Sequence, residues 1–235
     1  MNAEENGSVN TNDSDLRVSL FADLKVTRLG RVYEKQALAA GYRFIAGVDE
    51  VGRGCLAGPV AVGVVVLDPR RPVPGLRDSK LLTAEARQRL SVRIQRDALA
   101  WGVGWAEPEE IDTVNIHQAS LRAMARAVMA LDPLPSAVLV DGFAIPGLPL
   151  PQRAIIGGDR QCAAIAAASI VAKVARDRLM ESLHDADPRY GFDRHKGYAT
   201  PEHLAAVSRH GYSPVHRRSF LCRAFHTPTL FDTIE

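Results

Sequence analysis

Two adjacent carboxylates, Asp49 and Glu50, close the apolar run Phe44-Ile45-Ala46-Gly47-Val48, and Gly52, Arg53, Gly54 and Gly58 follow before a second apolar run over 60–67. Carboxylates placed where a core strand meets a bend are costly to desolvate unless a cation meets them. A lone Asp-Glu at a turn is ordinary surface chemistry. The glycines alter that reading, because they let backbone approach a ligand closely. The pattern points to a metal site beside a backbone clamp. Two further acids suit the same chemistry: Asp141 ends the apolar run 137–140, and Asp159 follows the run 153–157 just before a helix. Taken singly, Asp141-Gly142 reads as a turn and Asp159 as a helix cap. If the strands ending at Asp49 and Asp141 run parallel and adjacent, both carboxylates emerge at one carboxyl edge of a sheet, where open α/β sheets carry their sites. Asp159 can reach the same edge. Four ionised carboxylates repel unless cations neutralise them, and oxygen-only ligation selects Mg2+ or Mn2+. Two such ions about 4 Å apart activate a water and stabilise the leaving oxygen in phosphodiester hydrolysis. Asp177 lies within a helical pattern and reads instead as an ion-pair partner of Arg176 or Arg178.

The elements that must position these acids follow from periodicity. Residues 44–48 and 60–67 read as buried strands about a glycine-rich bend, 101–106 as a third strand, 137–140 as a fourth and 153–157 as a fifth. Helices are expected over 19–41 (Leu20, Leu24, Leu29, Tyr33, Leu38), from Thr83 as N-cap, over about 115–131, over 163–183, and from Thr200 with Pro201 at the first helical position. The three prolines and the glycine of 69–78 make that stretch a loop, as does the composition of 187–199. Three strands close together, then strand and helix in alternation, describe an α/β fold. It is a mixed five-stranded sheet flanked by helices, with a basic C-terminal helical extension.

Composition narrows the class. The 235 residues are 46% hydrophobic and 24% charged, enough for a substantial core and too apolar for wholesale disorder. Net charge is only +2, but residues 189–223 carry seven Lys or Arg against Asp193 and Glu202, together with four histidines, a distribution suited to a polyanion. Cys55, Cys162 and Cys222 form no CxxC, which argues against zinc and against a disulfide framework. No signal-peptide pattern and no apolar run of the roughly 18 residues that span a membrane occurs, so a soluble, cytoplasmic protein without membrane contact is expected. Residues 1–18, rich in Asn, Ser and Asp, read as a flexible tail.

GVDEVGRG at 47–54, GP at 58–59, DSK at 78–80, DG at 141–142, GD at 158–159, AASIVAK at 167–173 and HKGY at 195–198 together resemble the bacterial ribonuclease HII family. Any one of these motifs is weak; their order and spacing over about 44–223 are specific. The resemblance implies a ribonuclease H-like fold and a monomer. It implies endonucleolytic cleavage of RNA in RNA–DNA hybrids and of single ribonucleotides in duplex DNA, leaving 5′-phosphate and 3′-hydroxyl ends. It implies two Mg2+ or Mn2+ ions held by Asp49, Glu50, Asp141 and Asp159. Gly52, Arg53 and Gly54 would read the 2′-hydroxyl chiefly through backbone groups together with Tyr198, the 2′-hydroxyl being what distinguishes RNA from DNA. Lys80, Ser169 and Lys173 would contact phosphate, which positions a duplex without reading sequence. It divides the chain into a tail and lead-in helix (1–40), a catalytic domain (41–225) and a C-terminal tail (226–235). That last tail, with Phe231, Asp232 and Glu235, is of the kind that docks on a sliding clamp, although TLFDTIE matches weakly and disorder is its default reading.

Two other functions were weighed on the same residues. A dinucleotide-binding oxidoreductase is disfavoured because the GxGxxxG spacing misses GxGxxG and acids before the glycines would repel a pyrophosphate. A binding module that kept the fold and lost the chemistry is disfavoured because all four acids are present.

Overall fold

The computed structural model describes residue 26 and residues 28–220; the expected flexible tail, the opening of the expected lead-in helix and the C-terminal tail lie outside the described residues. Five strands form the expected mixed sheet: β1 (Ile45–Val51), β2 (Val60–Val66), β3 (Ala100–Ala106), β4 (Ala137–Asp141) and β5 (Gln152–Ile155), in the order β3-β2-β1-β4-β5. β1 pairs antiparallel with β2 and parallel with β4, and β5 continues the parallel half. Alternation along β1 sends Ile45 to one face and Ala46 and Val48 to the other, so both faces need cover.

The helices supply it. On one face lies α5 (Ala163–Ala186), accompanied by α1 (Val32–Ala39) and α2 (Ala84–Asp97); on the other lies α4 (Ile116–Met129). Small residues set the spacing of α5 on the sheet. A methyl at Gly63 would stand 2.1 Å from the Ala168 carbonyl oxygen, and one at Gly47 would stand 2.1 Å from the Ala164 carbonyl carbon. The start of α5 is capped from outside its own sequence: the buried carboxylate of Glu34 on α1 accepts from the Ala164 N–H at 2.8 Å. Thr83 and Thr200 cap α2 and α7 (Pro201–His210) as expected, accepting from the N–H groups of Ala86 and His203.

Two expectations change, and the long helix over 115–131 is kept with a second helix before it. The lead-in helix begins only at Val32 among the described residues, because Gly30 is drawn into a bridge with the start of α5, its carbonyl accepting from the Ala163 N–H at 2.8 Å. The long helix over 115–131 is the second of two: α3 (Pro108–Val114) precedes it, and Asn115, at φ 69°, ends one and caps the other. The loop 187–199 contains a 3-10 turn, Pro188–Tyr190, and the short α6 (Phe192–His195). These pack with α7 around Tyr190, Phe192, Val207 and Met180 into a small second core. Asp112 on α3 ties the following segment down, accepting from the N–H groups of Arg218 and Ser219 at 2.9 Å each. Among the described residues no helix is long and apolar enough to cross a membrane.

Candidate active site

The last rung of the parallel β1–β4 ladder joins Val48 to Val140, so the next residues along, Asp49 and Asp141, stand side by side at the carboxyl edge. Asp159 reaches the same edge from a 3-10 turn, Gly158–Arg160, between β5 and α5. One recess of about 250 Å3 is lined by Asp49, Glu50, Asp141 and Asp159 together with Gly52, Arg53, Lys80, Ser169, Lys173 and Tyr198. Of the residues singled out in the sequence, Gly54 alone does not line it.

The acids are held by backbone. Asp49 accepts from the Glu50 N–H at 2.8 Å, and Asp141 accepts from the Gly158 N–H at 2.6 Å. Burial, then the charges of Glu50 and Asp141, push the Asp49 carboxyl well above its ordinary range, while a hydrogen bond from Ser169 opposes the rise. Burial also raises Glu50 and Asp141. Glu50 Oε1 meets Arg53 at 3.1 Å, whereas its buried Oε2 has no hydrogen-bond partner. Among the described residues no three acid, His or Cys side chains close into a ligand cage, since Glu50 is turned to Arg53 and Asp141 to Gly158. The donor set nevertheless fits a hard divalent cation. It is all oxygen, it carries an unsatisfied carboxylate oxygen, and its carboxyls are raised first by burial and then by one another's charge, both of which a cation would offset.

The opposite wall is built differently. Gly52 has φ 94°, and a methyl there would stand 2.1 Å from Nε of Arg176. Arg176 and Arg217 are fully buried, and each spends its guanidinium on carbonyl oxygens. Arg217 donates to Gly52, Arg53 and Gly58 at 2.7, 2.8 and 2.9 Å. Arg176 donates to Ala57, Pro59 and Lys196 at 3.1, 2.9 and 2.8 Å. Burial lowers the Arg217 guanidinium to about 10, so it stays charged at neutral pH. Because the carbonyls of Gly52 and Arg53 point inward to Arg217, the bend offers a ligand its N–H groups rather than these two carbonyls. Gly197, at φ 85°, lies against the same loop: its carbonyl accepts from the Leu56 N–H at 2.8 Å, and a methyl there would fall 2.4 Å from the Ala57 oxygen. This contact carries Tyr198 to the rim, where its ring is 42% exposed. Burial, then the adjacent Cys55, raise the Tyr198 phenol, which keeps it a proton donor at neutral pH.

The remaining site residues fall around these walls. Ser169 is buried, its hydroxyl 2.9 Å from that of Ser79. Lys80 is exposed at the rim beside Asp141. Lys173 pairs with Asp177 at 2.7 Å, which corrects the expectation that Asp177 pairs with Arg176 or Arg178. The reason is direction: Arg176 lies on the buried face of α5 and faces the carbonyls, while Lys173, one turn before Asp177, shares its face. Sequence reasoning missed Arg176, Arg217, Ser79 and His117, whose Nδ1 is 3.5 Å from Arg53. For Arg176 a signal existed, since it stands midway between Ala172 and Met180 in the buried stripe of α5. For Arg217 we find none. The basic C-terminal region is also less free than its composition suggests: Arg217 is buried, and Arg189, Arg194 and Lys196 pair with Asp187, Glu202 and Glu181.

Comparison with known proteins agrees with this fold. The ribonuclease HII family profile matches residues 46–223. Ribonuclease HII of Pelotomaculum thermopropionicum is 53% identical over 191 residues, 80% of this chain and 72% of that protein. Ribonuclease HII of Nitrosococcus oceani is 57% identical over 176 residues, 75% and 88% of the two chains. Among solved structures, ribonuclease HII in the PCNA complex from Archaeoglobus fulgidus superimposes with a TM-score of 0.66 at 26% identity, covering 81% of this chain and all of that one (100%). A Bst-RNase HIII structure in complex with Mn2+ shares the fold, with a TM-score of 0.57 at 21% identity over 72% of this chain and 63% of that one.

Proposed function

The chain belongs to the ribonuclease HII family and is a metal-dependent hydrolase that cleaves RNA in RNA–DNA hybrids; we propose that Asp49, Glu50, Asp141 and Asp159 form its metal-binding and catalytic centre, and that its substrates include single ribonucleotides in duplex DNA. The observation that carries this reading is the shared recess, which sets four acids opposite a glycine bend and a tyrosine. Two divalent ions, Mg2+ or Mn2+, would supply an activated water and stabilisation of the leaving oxygen, giving 5′-phosphate and 3′-hydroxyl ends. The Mn2+ of the HIII structure is in keeping with that choice.

The chain's own residues do the rest. Asp49 and Asp141, fixed by backbone N–H groups, present oxygens at the sheet edge; Glu50 and Asp159 flank them. The N–H groups of Gly52, Arg53 and Gly54 and the phenol of Tyr198 contact the 2′-hydroxyl, and the Tyr198 ring packs on the next sugar. Lys80 and Lys173 contact phosphate, and Ser169 steadies Asp49 at the same edge. A neighbouring groove that shares Lys173 with the recess is lined by Arg87, Arg178, Arg194 and Lys196 as well as Asp177 and Glu181, and its excess of cations suits a nucleic-acid backbone. We assign residues 41–225 to the catalytic unit, in line with the extent of the family match. The A. fulgidus complex makes a sliding clamp a candidate partner, with the C-terminal tail as its contact. The test is a DNA duplex holding one ribonucleotide, incubated with Mg2+ or Mn2+, with cut position and end groups mapped. Cleavage at the ribonucleotide with the stated ends is expected; an intact duplex beside a cleaved hybrid would confine the activity to runs of RNA.

A further inference from the structure

Beneath Tyr198 lie three imidazoles that take no part in the chemistry above. His203 is fully buried, and His216 and His195 are nearly so. Their hydrogen bonds determine where each proton sits. The Ser213 N–H donates to His216 Nδ1 at 3.0 Å, with the Ser213 hydroxyl 2.7 Å from the same nitrogen. A ring nitrogen that accepts from a backbone N–H carries no proton, so the His216 proton is on Nε2. That nitrogen lies 3.0 Å from His203 Nε2, which must accept, and the His203 proton is therefore on Nδ1. His203 Nδ1 is 2.9 Å from the Tyr198 carbonyl, which can only accept. The bonds run one way, from Ser213 through His216 and His203 to Tyr198.

This chain of donors requires both rings to be neutral. An added proton on His216 Nδ1 would face the Ser213 N–H, and one on His203 Nε2 would face the His216 N–H. Burial holds both histidines below the ordinary range, His216 at about 4. His195 stacks on His203 with ring centroids 4.4 Å apart, and it is itself pinned between the Gly197 N–H at 3.2 Å and the Tyr190 carbonyl at 2.7 Å.

The loop that carries Tyr198 needs such a hold. Lys196 and Gly197 both have positive φ, 51° and 85°, a conformation that a side-chain-bearing residue such as Lys196 adopts only at a cost. Arg176 and the Leu56 N–H hold the carbonyls of Lys196 and Gly197, while at Tyr198 the local bonds are two: its N–H donates to the His195 carbonyl and its carbonyl accepts from the Thr200 N–H, at 3.0 and 2.8 Å. The bond from His203 comes from another element, α7, and through His216 it reaches the segment that also carries Arg217.

We propose that His203 and His216 are positioning residues for substrate discrimination, fixing the Tyr198 carbonyl and with it the angle at which the Tyr198 ring enters the recess. The proposal rests on Tyr198 contacting the 2′-hydroxyl. It assigns the histidines no contact with substrate or metal.

The experiment measures the ratio of cleavage rates on a lone ribonucleotide and on a run of RNA for wild type, Tyr198→Ala, His203→Leu, His203→Asn and His216→Phe. His203→Leu and His216→Phe should lower that ratio about fivefold, the worth of one neutral hydrogen bond, with cleavage of the RNA run nearly unchanged. His203→Asn, whose amide N–H stands where Nδ1–H stood, should keep it. A ratio lowered in Tyr198→Ala but unchanged in His203→Leu overturns the inference alone. A ratio unchanged in Tyr198→Ala removes the reading of Tyr198 and the inference with it. Should the leucine variant not fold, imidazole 15N shifts of the wild type still decide. The Nδ1–H form of His203 with the Nε2–H form of His216 is expected at neutral pH, and either ring in the other form overturns the relay.

Discussion

The two walls of the recess are held by different physics. On the acidic wall, Asp49 and Asp141 extend a parallel ladder, and the bonds that orient them come from the N–H groups of Glu50 and Gly158. On the facing wall, the Gly52–Gly54 bend and the Tyr198 loop have no ladder. Their carbonyls are gathered by side chains that arrive from far along the chain: Arg176, Arg217 and His203. A wall made of backbone tolerates the loss of one side chain and forfeits only that side chain's chemistry. A wall made by buried donors couples its shape to stability, because removing Arg217 would leave the Arg53 and Gly58 carbonyls without their donor.

The sharpest way to break this contrast is on the acidic side. Asp141→Asn should lower cleavage at least about a hundredfold through loss of a metal ligand, with duplex binding within severalfold and the melting temperature close to wild type. Single-turnover rates beside a binding titration check it, and near wild-type cleavage with Mg2+ would sink the ligand assignment. Arg217→Met should do the reverse. Three carbonyls lose their donor, and at about 1 kcal/mol for each the protein should lose roughly 3 kcal/mol in denaturant unfolding, with recognition impaired in the molecules that remain folded. A change under about 1 kcal/mol would mean that desolvating the guanidinium costs as much as its three bonds return.

The smallest expected effect separates the walls by sign. His216 has its folded value lowered from 6.5 to about 4, so the unfolded chain takes up the proton first. Its contribution is full above about 6.5, is lost as pH falls towards 4, and changes no further below that. The groups facing this ring are His203, His195, Tyr190, Tyr212 and the more distant charge of Asp187. In metal-free protein the raised carboxyls of Asp49, Glu50 and Asp141 act in the opposite sense, favouring the fold as pH drops. Melting temperature against pH for wild type and His216→Phe isolates the histidine term, and the variant should decline less between pH 6.5 and 4. Parallel curves would show that the relay is not what acid disturbs.

Much of the acidic wall was legible without coordinates. Apolar runs ending in Asp49 and Asp141 announce buried strands with acids at their ends, and Thr83 and Thr200 announce helix starts that the structure keeps. Other readings failed where a distant partner overrode a local pattern. Leu29 suits a helix, yet Gly30 bonds to the start of α5. Asp177 sits between two arginines in sequence, but helical geometry turns it to Lys173.

The sequence by itself determined the succession of strands along the chain, the four acids, the glycine bend and the family to which they point, because those depend on periodicity and on spacing along the chain. Only the tertiary structure decided that Arg176 and Arg217 would be buried without a carboxylate partner among the described residues, that Ser213, His216 and His203 would line up behind Tyr198, and that the carbonyls of the glycine bend would turn to Arg217. The physical reason is the nature of the acceptor. A carboxylate is one residue in ten or so and its placement is informative, whereas every residue carries a carbonyl, so which carbonyl a buried donor meets is settled by packing alone.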